Sequence, residues 1–213
     1  MNAFVRYVVI GVYKLFYNFK IEGWENVPKE EPVIIACNHR SYADPVLVTM
    51  PMRRPVTYMA KEELFKNKFF AWFIRGLGAF PIRRGAGDMA VINDCAGILA
   101  SGKNLVIFPE GTRQKENKVG RGKTGVAMIA GLSGAPVLPM GIVFEGEKLG
   151  LRFRKKLRLR IGKVIPPEEL AVDVNDHSTM RAAKKRIMAA ITELVEGTPG
   201  EVLLADGAGD SEQ

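Results

Sequence analysis

The sequence predicts an α/β fold, in which a mixed, mostly parallel sheet is covered by helices and preceded by an N-terminal amphipathic helix. Three observations carry this prediction. Short runs rich in Val, Ile, Leu and Phe alternate along the chain with longer segments of helical spacing. Apolar runs of strand length, separated by helices, are typical of parallel strands that are buried on both faces. At 213 residues, 47% of them hydrophobic and 25% charged, the chain is large enough for one domain with a substantial core.

Six short apolar runs are the predicted strands. Proline, glycine or charged residues bound each run, as is common at the ends of strands. In chain order, the predicted strands are Val33–Cys37, Val56–Ala60, Ala79–Ile82, Leu105–Phe108, Val137–Ile142 and Leu157–Ile161.

Five segments between or after these strands have helical spacing. In chain order, the predicted helices are Pro45–Met50, Glu62–Arg75, Asp88–Ala100, Lys123–Leu132 and Met180–Glu196. Asp88 is the expected N-terminal cap of the third helix, and Ser178 or Thr179 that of the last. Gly102 and Gly197 lie just beyond helix ends, where glycine is favoured.

Residues 2–20 have the spacing of an amphipathic helix. At 100° per residue, basic, amide and tyrosine side chains share one arc of the helical wheel: Arg6, Lys14, Lys20, Asn2, Asn18, Tyr7, Tyr13 and Tyr17. Large apolar side chains fill the opposite side, with Ile10 the exception. We therefore predict that residues 1–20 form an amphipathic helix that lies in the membrane interface. A helix packed on the protein's own core is the alternative.

The same N-terminal segment does not have the pattern of a membrane span or of a signal peptide. A span needs roughly 20 apolar residues, and charge is costly at its centre. Lys14 falls well inside the apolar stretch. No small-residue cleavage site follows the stretch, as a secretory signal would require.

Composition indicates the remaining boundaries and the class of partner. The predicted domain covers residues 21–198, and we expect residues 199–213 to be a disordered, acidic tail, because residues 201–213 hold four acids and no bases. The formal net charge of the whole chain is nevertheless +8, which favours anionic partners such as nucleic acid, anionic lipid or phosphorylated substrates. Two cysteines provide no disulfide framework and indicate a reducing, cytosolic setting. No Cys/His spacing typical of a metal site is present, so no metal is expected.

A histidine and an aspartate follow the first predicted strand. They belong to the segment Asn38–Pro45, in which Asp44 comes five residues after His39. On a helix, that spacing would separate the two side chains by about 140°. Pro45 disfavours helical geometry at Asp44 and suits a first helical position, so we predict a strand, a tight turn and a helix start. In such a turn the carboxylate can hold one imidazole nitrogen while the other acts as a general base. The alternative is that Asp44 is only a helix cap.

A pair of arginines follows the third predicted strand. The segment Gly78–Gly85 delivers Arg83 and Arg84 at the end of that strand. The arginine side chain matches phosphate in a bidentate geometry and stays charged. The pair is therefore either a phosphate contact or two solvated surface charges.

A carboxylate, a glycine and an arginine follow the strongly apolar fourth strand, in the segment Phe108–Arg113. Glu110 is placed to bind hydroxyl groups of an acceptor, and Arg113 to bind phosphate. Gly111, which lacks a side chain, lets a backbone N–H approach a developing oxyanion. An ordinary polar turn with a Glu–Arg ion pair is the alternative.

Two weaker features complete the set. Lys61 ends the second strand, where a lysine either binds phosphate or an oxyanion, or is a solvated residue at a helix start. Pro139 interrupts the strand Val137–Ile142 and indicates an edge or an irregularity of the sheet.

Taken in order, the blocks Asn38–Pro45, Gly78–Gly85, Phe108–Arg113 and Val137–Ile142 resemble the motifs of the glycerolipid acyltransferase family, which contains the 1-acylglycerol-3-phosphate acyltransferases. The His-x-x-x-x-Asp and Phe-Pro-Glu-Gly-Thr-Arg blocks are specific, and the other two add support through their order and spacing. The resemblance runs over roughly half the chain. It implies transfer of a fatty acyl group from a thioester to the sn-2 hydroxyl of 1-acylglycerol-3-phosphate, which makes phosphatidic acid.

The resemblance also implies a role for each candidate residue. His39 would be the general base, Asp44 its partner, and Glu110 and Gly111 contacts of the acceptor or the intermediate. In the mechanism that we expect from these roles, backbone donors near Gly111 stabilise the oxyanion together with Lys61. The expected substrate contacts are Arg83, Glu110, Thr112, Arg113 and Ser41. No cofactor or metal is implied. The donor would be acyl-CoA or acyl carrier protein, and the acceptor a lysophospholipid.

These implications predict a peripheral or monotopic protein on the cytoplasmic face of a membrane. The segment Leu151–Lys163 alternates between basic and apolar residues, with Lys155 the exception, as a strand with one basic and one core face would. The basic face either attracts anionic lipid or an acidic donor, or protects an exposed sheet edge from aggregation.

Three rival functions remain at this point. The first is an acyltransferase for glycerol-3-phosphate or another lysolipid, since the blocks do not identify the acceptor. The second is a lipid-binding module without catalysis, against which the intact His39, Asp44 and Glu110 argue. The third is a nucleic-acid binder, which would need aromatic residues interleaved with the basic strand, where only Phe153 is present. We therefore expect no nucleic acid among the partners.

Overall fold

A seven-stranded sheet forms the centre of the protein. The computed structural model describes residues 11–82, 88–114, 118–144 and 155–197. The strands are β1 (Tyr17–Glu22), β2 (Ile34–Cys37), β3 (Val56–Lys61), β4 (Ala79–Ile82), β5 (Asn104–Ile107), β6 (Val137–Phe144) and β7 (Lys155–Ile161). Each of the six predicted strands is present, with ends that differ by up to two residues.

The sheet is mixed and mostly parallel, which confirms the predicted fold class. Its strand order is β1–β7–β6–β2–β5–β3–β4. The five strands from β6 to β4 run in one direction. β7 is antiparallel to β6, and β1 is parallel to β7, so these two strands form a reversed pair at one edge. The carboxyl ends of β2, β3 and β5 therefore meet at one edge of the sheet, where loops of an α/β fold carry ligand sites.

Seven helices connect or flank these strands in the part of the chain that the structure describes. They are α1 (residues 11–16), α2 (Asp44–Thr49), α3 (Lys68–Gly76), α4 (Asp88–Ala100), α5 (Gly125–Ser133), α6 (Pro167–Leu170) and α7 (His177–Glu196). None of the helices in these residues is long and apolar enough to cross a bilayer.

The two faces of the sheet carry separate hydrophobic cores. Side chains alternate along β2, so that Ile35 and Cys37 face one core while Ile34 and Ala36 face the other, all fully buried. The first core packs against α2 and α3, with Tyr13 of α1 beside it. The second packs against α4, α5 and α7. Helices thus cover both faces, as a sheet of continuous apolar strands requires.

The predicted N-terminal helix is wrong over its last residues. It was predicted to continue to residue 20, but the helix ends at residue 16 and Tyr17 begins β1. Tyr17, Phe19 and Ile21 alternate with polar residues, and Phe19 is buried in the core beneath the sheet. Pairing with β7 favours the extended conformation, because it satisfies the backbone groups of both strands. Residues 1–10 of the predicted helix lie outside the described residues.

Two other helices differ from prediction by more than two residues at one end. The segment Glu62–Arg75 is divided into a short 3-10 turn at Glu62–Phe65 and the helix α3. Asn67 caps α3, because its side chain accepts a hydrogen bond from the backbone N–H of Phe70. The last helix begins earlier than predicted, at His177, with the Asp176 carboxylate accepting from the N–H of Ser178. Ser178 and Thr179 therefore lie inside the helix.

The basic strand β7 is interior to the sheet, because β1 and β6 flank it. Its apolar residues Leu157, Leu159 and Ile161 are buried, as the alternation predicted. Arg158 and Arg160 both approach the carboxylate of Glu22 on β1, at 3.5 and 3.1 Å. Protection of an exposed edge is thus the wrong explanation for these charges, which join β7 to its neighbour. Residues 151–154 lie outside the described residues.

Candidate active site

Asn38 fixes the point at which the chain leaves β2. Its side chain is buried and forms two hydrogen bonds with Ile142 of β6: the Asn38 Nδ2 group donates to the carbonyl at 2.9 Å, and the Ile142 N–H donates to Asn38 Oδ1 at 2.7 Å. The amide therefore replaces a backbone partner where the ladder ends. The turn that follows is held rigidly against the central strands.

His39 and Asp44 meet in this turn. The His39 Nδ1 and Asp44 Oδ2 atoms are 2.8 Å apart. Asp44 is the first residue of α2 and is followed by Pro45, which is the strand, turn and helix start that the sequence predicts. The Asp44 side chain is fully buried, whereas 21% of the His39 side chain is exposed. The imidazole thus has one nitrogen held by the carboxylate, and Nε2 is left for a substrate.

A single oxygen of Asp44 organises the whole turn. Asp44 Oδ2 also accepts hydrogen bonds from the backbone N–H groups of Arg40 at 2.5 Å and Ser41 at 2.6 Å. Its other oxygen, Oδ1, has no hydrogen-bond partner among the described residues. Two backbone N–H groups and the imidazole nitrogen around one buried oxygen fix the orientation of the carboxylate and of the imidazole.

The ring of Phe108 packs against one face of the His39 imidazole. Its ring stacks on His39 with centroids 4.3 Å apart and an interplanar angle of 22°. Phe108 directly follows β5, the neighbour of β2 in the sheet. The stack restricts the ring to one plane, and hydrogen bonding by Asp44 restricts rotation within it. Two independent contacts therefore orient the imidazole of His39.

Glu110 holds the backbone of two loops. Its Oε2 accepts from the N–H of His39 at 3.0 Å, and its Oε1 accepts from the N–H of Gly120 at 2.7 Å. The side chain is buried, and this burial raises the pKa of the carboxyl group above its usual value, against the opposing effect of the two N–H donors. Each oxygen accepts from the protein's own backbone, so Glu110 joins the His39 turn to the loop that contains Gly120.

Gly111 closes a tight turn after Pro109 and Glu110. Its φ of +69° lies in the left-handed region, and its N–H donates to the carbonyl of Phe108 at 3.0 Å. That N–H, which the sequence assigns to a developing oxyanion, is therefore already used. A Cβ placed on Gly111 would lie 3.1 Å from the Nζ atom of Lys123, so a side-chain ammonium group lies beside this turn.

Arg113 contacts an aromatic residue of the turn that contains His39 and Asp44. Its guanidinium group stacks over the exposed ring of Tyr42 at 3.7 Å from the ring centroid. The contact joins the loop after β5 to the loop after β2. Thr112 is exposed in the same segment. Ser41 uses its hydroxyl oxygen to accept from the N–H of Ala43 at 3.2 Å, which tightens the turn.

Lys61 is the exposed last residue of β3, at the same edge of the sheet as His39. β3 pairs with β5, which in turn pairs with β2, so one strand, β5, lies between the two residues along this edge. Its partner in register on β4 is Ile82. Arg83, the predicted phosphate contact after β4, lies outside the described residues.

Among the residues that contribute to this geometry, the sequence analysis did not single out Asn38, Gln114 or Lys123. Asn38 was quoted only as part of its block, although a polar residue at the end of a buried strand signals a structural hydrogen bond. Gln114 donates its N–H to the His39 carbonyl at 2.7 Å. Lys123 was predicted only as a helix start, and no local pattern relates it to Gly111, 12 residues earlier.

The two cysteines are poorly suited to act as nucleophiles. Cys37 and Cys95 are both buried, and burial raises the pKa of the Cys37 thiol and raises that of Cys95 to about 12. Protonated, enclosed thiols are poor nucleophiles. In the part of the chain that the structure describes, no three His, Cys, Asp or Glu side chains come together as metal ligands would.

Comparison with known proteins relates this site to a family. The model of the family described as Acyltransferase matches residues 18–143, which contain the His39–Asp44 turn and the Glu110 turn. The 1-acyl-sn-glycerol-3-phosphate acyltransferase of Bacillus subtilis is 30% identical over 177 residues, which cover 82% of each chain. A chloroplastic 1-acyl-sn-glycerol-3-phosphate acyltransferase of Arabidopsis thaliana is 28% identical over 141 residues, which make up 65% of this chain but 39% of the plant protein.

The structure also resembles a solved one. The crystal structure of the 1-acyl-sn-glycerophosphate acyltransferase PlsC from Thermotoga maritima aligns with a TM-score of 0.66 and 28% sequence identity. The alignment covers 89% of this chain and 80% of that one. The arrangement of the sheet and its helices is therefore shared over nearly the whole described chain.

Proposed function

Because the chain belongs to the Acyltransferase family, we propose that it transfers a fatty acyl group from a thioester to the sn-2 hydroxyl of 1-acylglycerol-3-phosphate, which yields phosphatidic acid. The observation that carries the chemical part of this proposal is the 2.8 Å contact between His39 and the buried Asp44. The acceptor is proposed from the names of the relatives.

His39 acts as the general base in this proposal. With Nδ1–H donating to Asp44, the unprotonated Nε2 removes the proton of the acceptor hydroxyl. The resulting alkoxide oxygen attacks the thioester carbonyl carbon. The tetrahedral intermediate then collapses, the carbon–sulfur bond breaks, and the thiolate takes the proton back from Nε2. Asp44 stabilises the imidazolium between these two steps.

Cationic side chains stabilise the negative charges of the reaction. The N–H of Gly111 is engaged in its turn, so we assign the oxyanion to the ammonium groups of Lys61 and Lys123, which lie at the same edge of the sheet. Arg83 and Arg113 bind the acceptor phosphate, which suits the bidentate geometry of arginine. We assign Thr112 and Ser41 to further polar contacts with the substrates.

The substrates determine where the protein works. A long-chain lysophospholipid resides in a bilayer, so we propose a peripheral or monotopic location on the cytoplasmic face of an anionic membrane, with acyl-CoA or acyl carrier protein as the soluble donor. The N-terminal segment contributes to this contact: Val12, Leu15 and Phe16 of α1 are exposed. No cofactor and no nucleic acid take part.

Two other functions would use the same site differently. An acyltransferase for glycerol-3-phosphate or another lysolipid would keep His39 and Asp44 and differ only in the acceptor contacts. A lipid-binding module without catalysis would need neither the hydrogen bond to Asp44 nor the stacked ring of Phe108. The oriented imidazole favours an enzyme.

A transfer assay with a panel of acceptors tests the proposal. Purified protein is given acyl-CoA or acyl-loaded acyl carrier protein together with lysophosphatidate, glycerol-3-phosphate or lysophosphatidylcholine, and product is measured by mass spectrometry. We expect phosphatidic acid from lysophosphatidate at the highest rate. His39→Ala is the inactive control, and His177→Ala, which changes the other histidine, is the active one. Preference for glycerol-3-phosphate would replace the proposed acceptor, and the absence of product from every pair would favour the lipid-binding module.

A further inference from the structure

The helix α3 is apolar on the side that faces away from the protein. Ala71 and Ile74 are buried against the sheet. At 100° per residue, the directions opposite to these two belong to Phe69, Trp72 and Phe73. The Phe69 and Trp72 side chains are 78% and 71% exposed, and Phe73 is exposed as well. A surface helix ordinarily presents polar side chains in these directions.

These aromatic side chains form one continuous patch, which we call the α3 patch: Phe69, Phe70, Trp72 and Phe73. The rings of Phe69 and Trp72 lie 6.1 Å apart between centroids, and Phe70 is exposed beside them. Contiguous exposed aromatic surface is costly in water and marks an interaction site. The patch needs a partner that accepts large flat side chains.

Basic residues border the α3 patch. Lys68 and Arg75 lie at the two ends of α3, between the patch and the buried side of the helix, and exposed Lys66 precedes them. α3 itself contains no acidic residue, although Glu62 and Glu63 lie in the preceding turn. Aromatic side chains surrounded by lysine and arginine match the two layers of an anionic bilayer surface, the acyl boundary and the headgroups.

Exposed apolar side chains of α1 lie on the same face of the sheet. α1 and α3 both pack against the core that contains Ile35 and Cys37. On the opposite face, α4 and α5 each expose one large apolar side chain among the described residues, Met89 and Leu132. The molecule is therefore asymmetric, and one of its two broad sides carries the aromatic and aliphatic surface.

We propose that the α3 patch docks the enzyme on the interface of an anionic membrane, as a second contact beside α1. α3 begins just beyond the carboxyl end of β3, so its first turn lies at the sheet edge that carries His39 and Lys61. Insertion of the patch brings that edge to the headgroup layer, where a lysolipid hydroxyl resides. The inference deepens the proposed function and rests on its lipid acceptor, but its tests measure binding rather than catalysis.

The fluorescence of Trp72 tests the inference directly. The chain has two tryptophans, and Trp24→Phe leaves Trp72 as the only one. Vesicles of phosphatidylcholine and phosphatidylglycerol are titrated into this variant of the full chain. We expect a blue shift of the emission, protection from acrylamide and quenching by brominated acyl chains. Overturning results are vesicle-bound protein with Trp72 still open to acrylamide, and absence of binding to these vesicles.

Paired substitutions provide a second measurement. Phe69→Ser combined with Trp72→Ser removes the two most exposed rings, and Met89→Ser combined with Leu132→Ser removes exposed apolar side chains from the other side as a control. In vesicle flotation, we expect the first pair to weaken partitioning by at least about tenfold, because each buried aromatic contributes more than a tenfold factor. The control pair should bind as the unmodified chain does.

Two further results separate this inference from its rivals. Both paired variants should transfer acyl groups to a short-chain, water-soluble lysophosphatidate at the normal rate, because the substituted side chains are not among those assigned to the reaction. Lost vesicle binding with that rate intact supports docking, whereas absence of transfer by the unmodified protein would remove the proposed function and leave the binding result standing. Sedimentation that shows a dimer broken by the Phe69 and Trp72 substitutions would overturn the inference in favour of a second copy of the chain.

Discussion

The catalytic proposal depends on His39 having one nitrogen held and the other available. Replacement of His39 by alanine removes the base while leaving the Asp44 contacts with the backbone of Arg40 and Ser41 in place. We expect the transfer rate to fall by on the order of 10³-fold, the usual contribution of a positioned base. The melting temperature should change little. His177→Ala, on the exposed start of α7, should retain full activity.

The same turn distinguishes two substitutions of Asp44. Asparagine keeps one oxygen that accepts from the N–H groups, so Asp44→Asn should remain folded yet lose the charge that stabilises the imidazolium, with a rate loss of roughly 10²-fold or more. Alanine removes the acceptor altogether, and Asp44→Ala should also unfold at lower temperature. Equal rates for the asparagine variant and the unmodified enzyme would show that Asp44 acts only as a helix cap.

Glu110 offers a test of positioning against substrate binding. In Glu110→Gln, an NH₂ group replaces one of the two oxygens that accept from His39 and Gly120, so two donors face each other. We expect about 1–3 kcal/mol of lost unfolding free energy and a lower kcat with a nearly unchanged KM for the acceptor. The exposed Glu193→Gln is the matched control. A raised KM with unchanged stability would instead indicate that Glu110 binds the acceptor.

Cys37 lies within two residues of His39, which makes it the obvious rival nucleophile. Burial raises the pKa of its thiol, so the reactive thiolate is scarce. We expect Cys37→Ala to retain activity and thiol-blocking reagents to leave transfer intact in the folded enzyme. An acyl group trapped on Cys37 during turnover, detected by mass spectrometry of the intact protein, would contradict direct transfer.

Local and distant relations differ in how well the sequence predicts them. His39 and Asp44 are five residues apart around a pre-proline turn, so backbone restriction alone indicates that they meet. Glu110 meets the N–H of His39 across 71 positions of the chain, and which loop it holds depends on how the strands are ordered. The position of the Lys123 ammonium group beside Gly111 likewise depends on how the strands are ordered, which no local pattern predicts.

At the scale of elements, β1 is the most informative difference from prediction. Residues 17–22 alternate between apolar and polar, which is strand spacing, yet the apolar run before them continues a helical wheel to residue 20. Both patterns fit the sequence locally. Backbone pairing with β7 and the Glu22 contacts with Arg158 and Arg160 favour the strand. Central strands such as β2, which are apolar throughout, offer no such ambiguity.

Phe19 distinguishes the strand from the predicted helix. In β1 its ring is buried, so Phe19→Ala should cost about 3–5 kcal/mol of unfolding free energy, as truncations of buried phenylalanine do. The neighbouring Lys20→Ala, which changes an exposed side chain, should cost less than about 0.5 kcal/mol. Denaturant unfolding of both variants checks this. Unchanged stability together with weaker vesicle binding would favour a helix that continues to residue 20.

At the scale of the whole molecule, the sheet separates two environments. Helices α4, α5 and α7 close one core with few large apolar side chains left exposed among the described residues. Helices α1 and α3 close the other core and expose several. Six of the seven strands and the parallel connections of the central ones followed from alternation along the chain, because each helix must return over the sheet. Strand order and the reversed β1–β7 pair are long-range properties that no local pattern contains.

This asymmetry predicts two components of membrane binding with different dependence on salt. The chain carries a formal net charge of +8, and basic residues near an anionic surface contribute roughly 1 kcal/mol each. Raising NaCl from about 0.1 to 1 M shortens the Debye length from about 10 to 3 Å. Binding to phosphatidylglycerol vesicles should therefore fall about tenfold or more. Binding to pure phosphatidylcholine should be weaker at every salt concentration but should not fall as salt is added, because it depends on insertion of aromatic and aliphatic side chains.

Variants of α3 test which side chains are responsible for the salt-sensitive and the salt-insensitive component of membrane binding. Lys68→Gln combined with Arg75→Gln should reduce the salt-sensitive part and leave binding to phosphatidylcholine unchanged. Phe69→Ser combined with Trp72→Ser should weaken binding to both kinds of vesicle by a similar factor, because insertion of the rings does not require lipid charge. Flotation at several salt concentrations measures all of these. If salt leaves binding to both kinds of vesicle unchanged, lipid charge plays no part in the attraction, and apolar insertion alone holds the protein at the membrane.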